Sequence, residues 1–289
     1  MPHLQKIAQS AFYEVTCVLD DFAKLDDYRR LDQKSPNEKA PERLPHHQCL
    51  YKVRHILCGI ISSISFMQLS ILHIQRRNNK QYFSQYDYRE LSVFQYHYYV
   101  FIHAVSTLRE LHFKLVIELC DIKICAKKSK WKNIQSHLNK HGEVDIIRLL
   151  ECLFASNKHL EDKRNIASHE GLLAISELEH FHLTDVYANF KNFLKNRPLA
   201  SPAKYTEGTK ENTNLLRKTK KLFISDLNAF IDKSTDDTLR MFELLLPKLL
   251  NKMDKTFIRN HWQDFSNLNM KSVNDYILQI DNIQGGTDI

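Results

Sequence analysis

"ILCGIISSISFMQLSIL", residues 56–72, decides whether this chain is a membrane protein or a globular helical one. Its length approaches that of a bilayer span, and Arg54 and Arg76–Arg77 flank it as anchors would. Ser62, Ser63, Ser65, Gln68 and Ser70 interrupt the apolar run, however, and acidic residues are plentiful in the segments on either side. The segment therefore reads as the central helix of a helical protein, with small serines that let neighbouring helices approach closely. No stable membrane insertion is expected, and a single spanning helix is the competing reading.

Composition supports the helical reading. Six Gly and seven Pro in 289 residues leave few places for tight turns, so long helices joined by short connections follow. The expected fold class is all-α. A hydrophobic share of 43% with 26% charged residues is ordinary for a chain that buries a core. The formal charge of +7 is compatible with a polyanionic partner without identifying one.

Six cysteines are scattered, and no C-x-x-C pair occurs among them. Buried free thiols in a reducing, cytoplasmic setting are expected, with no metal site and no cofactor. The amino-terminal residues show no signal-peptide apolar core.

Outward from residues 56–72, periodicity predicts a long helix over 3–32, with Leu4, Ile7, Ala11, Val15, Val18, Phe22 and Leu25 on one face. Residues 35–47, with three prolines, read as a loop, and the central helix follows to about residue 78. Further helices are predicted near 89–121, 130–140 and 143–158, the second ending at His141–Gly142. Residues 172–196 read as helical again. Residues 197–213, "RPLASPAKYTEGTKENT", read as a linker. The expected organisation is a helical domain over 1–196, this linker, and a helical region over 214–289 with helices near 213–232, 236–252 and 271–281.

One short stretch carries a chemical pattern: "EDKRNIASHEG", residues 161–171. Arg164 precedes His169 with four residues between them. With 14 Arg and 15 His in the chain, chance alone supplies about two pairs at four to six intervening residues. Spacing by itself therefore says nothing. Asn165 directly after the arginine, and the all-helical setting, give the pattern its weight. On a straight helix, positions five apart are about 140° apart around the axis, so Arg164 and His169 do not share a face. Either the helix breaks inside the motif, or a second copy completes the site. A plainer reading also stands: an arginine and a histidine near a helix end, interacting with terminal carbonyls and the helix dipole, with Gly171 as the terminating residue.

Arg164, Asn165 and His169 resemble the R-N-x-x-x-H signature of the HEPN superfamily, and the helical layout of residues 1–196 is similar to that family's; the C-terminal third is not covered. The resemblance implies a metal-independent endoribonuclease acting on RNA as a homodimer, two motifs lining one composite site. It also implies a toxin or defence setting with a possible cognate antitoxin protein. In such chemistry the ribose 2′-OH attacks its own 3′-phosphate. His169 is the expected general base, Arg164 the cation that stabilises the transition state, and Asn165 an orienting group. The alternative is a non-catalytic HEPN-like module that binds RNA, nucleotide or protein.

Three weaker features remain. Lys127, Lys128, Lys130, Trp131 and Lys132 form a basic cluster with an interleaved aromatic, a candidate RNA-binding surface or a solvated connection. The aromatic run over 86–101 reads as core or dimer interface in preference to base stacking. His180 and His182 diverge on a helix, so they make a poor metal pair.

Overall fold

The computed structural model describes residues 2–33, 41–75, 90–124, 129–170 and 205–260; within its helices some side chains, those of 163–170 and 205–217 among them, fall outside the description. Every regular element among the described residues is an α-helix, so the fold class is all-α. The elements are α1 Pro2–Ala8, α2 Ala11–Asp32, α3 Pro45–Gln75, α4 Glu90–Leu119, α5 Lys130–Lys140, α6 Val144–Glu170, α7 Tyr205–Asn251 and α8 Lys255–Asn260.

The first expected helix is two. Ser10 takes an extended conformation (φ −73°, ψ 140°), and its hydroxyl accepts a bond from the Tyr13 N–H while donating to the Ile7 carbonyl at 2.7 Å. One side chain thus ends α1 and caps α2. The break rotates the apolar face away from the register read from sequence. Phe12, Val15, Leu19 and Ala23 are buried, while Leu25 is exposed.

α3 starts at Pro45, a favoured first helical position because proline has no N–H to leave unsatisfied. Residues 45–47, expected in a loop, are therefore its first turn. Leu57, Ile60, Ile64, Met67, Ile71 and Ile74 are buried with Ser63 and Ser70 among them, so those serines do lie on the inner face. Phe66, Leu69 and Leu72 are exposed on the other side. Among the described residues α3 is the one helix long and apolar enough to cross a membrane, and half of its apolar window is buried in the protein.

Two helices run further than periodicity indicated. α6 continues from Val144 through Glu170, across the whole Arg–Asn–His motif. α7 is continuous over 47 residues. It takes in residues 205–213, read as linker, and residues 233–235, the gap between the helices expected near 213–232 and 236–252. Ser234, Thr235 and Thr238 are buried there, and the Thr238 hydroxyl donates to the Ser234 carbonyl one turn back at 2.7 Å. Bonded in this way, the Thr238 hydroxyl sits inside the helix without ending it, while the buried Thr235 hydroxyl has no hydrogen-bond partner among the described residues. The expected helices over 172–196 and 271–281 lie outside the described residues.

Two compact units divide the chain. The first comprises 1–62, 108–155 and 234–289, the second 63–107 and 156–233. α3, α4, α6 and α7 each contribute one stretch to each unit. In the first unit Phe12 stacks on Phe242, ring centroids 4.8 Å apart. α3 and α4 run antiparallel there, Lys52 meeting Glu118 at 3.1 Å and Gly59 facing Leu111. A Cβ at residue 59 would come within 2.9 Å of Leu111 Cδ1, so glycine is what permits that approach. In the second unit Phe94 and Tyr98 surround Phe223 at 5.2 and 4.8 Å, and Phe101 meets Phe230 at 5.8 Å. These three α4 aromatics are core, as their helical spacing indicated; Tyr96 between them is exposed.

Candidate functional site

Arg164, Asn165 and His169 lie on the last two turns of α6, in the second unit. Their side chains fall outside the described set, so the site is defined here by backbone position. The helix is unbroken from Val144 to Glu170, so it does not break within the motif. Five residues along an α-helix advance about 7.5 Å and turn about 140°. Residues 164 and 169 of one copy are thus displaced in both height and direction.

The basic cluster divides. Lys127 and Lys128 lie outside the described residues. Ser129 caps α5 by accepting from the Lys132 N–H at 3.3 Å, which fixes where the following side chains leave the helix. Lys130 pairs with Glu110 at 2.6 Å. Burial alone would raise the Glu110 carboxyl, but the hydrogen bond and charge of Lys130, with Arg109 adjoining, carry it below its ordinary value. Trp131 is half-buried with its ring 6.1 Å from that of Phe113, and Lys132 is exposed. This cluster belongs to the first unit and the motif to the second.

Of the cysteines expected to be buried, Cys49 is, Cys17 and Cys120 are half-buried, and Cys58 and Cys152 are exposed; none of the five is in a disulfide, and Cys125 lies outside the described residues. The exposed pair occupies outward positions of α3 and α6, where a helix repeat that is apolar on average still sends some residues to solvent. Burial pushes the thiols of Cys49 and Cys120 up to about 11, which makes them poor nucleophiles. Arg54 contacts Cys17 and lies 5.2 Å over the Tyr13 ring. Among the described residues no three His, Cys, Asp or Glu side chains gather as a metal site would need. His180 and His182 lie outside them.

Two polar constellations were not singled out from the sequence. His47 is buried at the start of α3, its Nδ1 2.7 Å from Asp27, whose other oxygen is 3.3 Å from Arg43. His112 is fully buried, its Nδ1 2.8 Å from the Leu108 carbonyl and its Nε2 3.1 Å from the Thr238 hydroxyl. Burial brings its pKa down to about 4. It is therefore neutral at pH 7, with the hydrogen on Nδ1 donated to the Leu108 carbonyl, and Nε2 and the Ser234 carbonyl compete for the single hydrogen of the Thr238 hydroxyl. His47 had no sequence signal, because its segment read as loop. His112 had a weak one, a histidine within an apolar helical repeat.

No family model, curated protein or solved structure matches the chain.

Proposed function

We infer that this chain is a metal-independent endoribonuclease whose site is completed by a second copy. The reading rests on the resemblance of Arg164, Asn165 and His169 to the HEPN signature. The observation that carries it further is the unbroken course of α6 through the motif. A phosphate in cleavage needs a base at the 2′-OH and a cation at the non-bridging oxygens, both within hydrogen-bond reach of one phosphorus. Positions turned 140° apart on one rigid helix are poorly placed to do this alone, whereas two such helices facing each other offer both groups to one phosphate. His169 takes the 2′-OH proton, Arg164 holds the developing charge with its planar fork, and Asn165 orients the strand. The products are a 2′,3′-cyclic phosphate and a 5′-hydroxyl. A cytoplasmic toxin or defence role, with a cognate antitoxin protein, belongs to the same reading.

The test is cleavage of total RNA in EDTA by wild type, Arg164→Ala and His169→Ala. The wild type is expected to cut and each variant to lose at least about a hundredfold in rate, the usual contribution of acid–base catalysis. Mixing the two dead variants is expected to restore about a quarter of the wild-type rate, because half the dimers are mixed and each keeps one intact Arg–His pair of the two that the symmetric cleft holds. Loss of no activity on His169→Ala would sink the catalytic reading and leave a binding module. Absence of rescue on mixing would sink the composite site.

A further inference from the structure

A cavity of about 350 Å³ opens in the groove between α3 and α4, wholly within the first unit. Its apolar lining comes from Ile56, which is buried, and Ile117, which is half-buried. Tyr51 forms an aromatic wall with 55% of its surface free, and the Arg43 guanidinium lies over its ring at 5.0 Å. Lys52 is held by Glu118 at 3.1 Å. His55 and Lys114 also line the cavity and are exposed, and neither makes an ion pair or hydrogen bond with another described side chain.

The charge and shape of these groups define a ligand class. Lys52 and Lys114 against Glu118 leave one positive charge, and the His55 imidazole adds a hydrogen-bonding ring beside it. A singly charged oxyanion balances that charge, and a compact, flat apolar body suits a tyrosine face backed by two isoleucines. The cavity volume is at the low end for small-ligand sites, which suits a small ring-bearing body. Lys52 is already neutralised by Glu118, so the unengaged Lys114 and His55 are the groups open to an incoming anion.

We propose that this cavity binds a small organic anion built on a flat ring, with the ring against Tyr51 and the two isoleucines and the oxyanion against Lys114 and His55. A free aromatic acid and a nucleoside monophosphate both carry this chemistry. The inference is independent of the nuclease reading, since it uses none of the motif residues.

The experiment follows the His55 imidazole resonances of the full chain by NMR while benzoate, uridine 5′-monophosphate, uridine or inorganic phosphate is added. Benzoate or uridine 5′-monophosphate is expected to shift them saturably in the millimolar range or better. Uridine and inorganic phosphate should each bind at least about tenfold more weakly than the better of these two, a difference of one decade in dissociation constant. Preference for benzoate assigns the site to aromatic acids, and preference for the nucleotide to nucleoside phosphates. Lys114→Gln and Tyr51→Leu should each weaken binding by about fivefold or more, and Tyr51→Phe should retain it, because the ring and not the hydroxyl is used. Lys114 is exposed, so its variant tests the site even if Tyr51→Leu perturbs folding. The proposal is overturned if neither ring-bearing anion saturates, if inorganic phosphate binds as well as they do, or if Lys114→Gln binds like the wild type.

Discussion

His112 shows how a single buried side chain ties pH to stability. Its imidazole titrates near 6.5 when exposed and near 4 in the fold, so the unfolded chain takes up the proton first. The folded form is therefore favoured in full above pH 6.5, and that advantage is lost as pH falls from 6.5 towards 4. The linkage is worth about 3 kcal/mol across that interval. Histidine NMR should find His112 still neutral at pH 5.5; a midpoint at or above 6.5 would refute the assignment. His47 is a buried imidazole held by a side-chain partner instead, with a carboxylate oxygen of Asp27 2.7 Å from its Nδ1. Neither residue could be picked out in the sequence, where a histidine beside prolines looks like loop and one in a helical repeat looks like surface. Burial and partner are properties of the assembled chain.

At the scale of the element, helix identity was legible and helix limits were not. Ser10 is a case in which three atoms decide an outcome that an apolar repeat cannot, since residues 3–32 fit a single helix until the hydroxyl takes both the Ile7 carbonyl and the Tyr13 N–H. Ser10→Ala should cost about 1 kcal/mol in urea unfolding, and Ser10→Asp or Ser10→Asn should recover most of it. Equal stability of all three would mean that the break is held by packing and not by the cap. α7 fails in the opposite direction. The polar run "DKSTDDT", residues 232–238, looks like a boundary, yet Ser234, Thr235 and Thr238 turn inward and α7 continues to Asn251. Phe242 then stacks on Phe12, and Phe242→Ala should destabilise by about 3–5 kcal/mol, as truncation of buried aromatics does. A loss below about 1 kcal/mol would show that this contact contributes little.

For the whole molecule, the proposed composite site turns on the number of copies that act together. That proposal rests on residues 164–169 and a helical layout, and α6 runs unbroken through those residues. Sedimentation of the full chain at micromolar concentration is expected to give a dimer, and dilution that splits it should abolish cleavage in parallel. A stable monomer that still cut RNA would overturn the composite site. Two compact units built from shared helices add a second consequence: a cut within α3, α4, α6 or α7 interrupts the chain of both units, so neither is a contiguous fragment that can be expressed alone.

The sequence by itself determined that the chain is helical, that residues 56–72 carry a buried face, and that Arg164, Asn165 and His169 stand in one order at one spacing. These follow from composition and from a 3.6-residue period, both local properties. Only the tertiary structure decided that α6 does not break at the motif, that Ser63 and Ser70 face inward while Phe66 and Leu72 face outward, and that Lys130 is spent on Glu110. The last two depend on what lies across the interface from a residue, and a period along one helix carries no information about its neighbour.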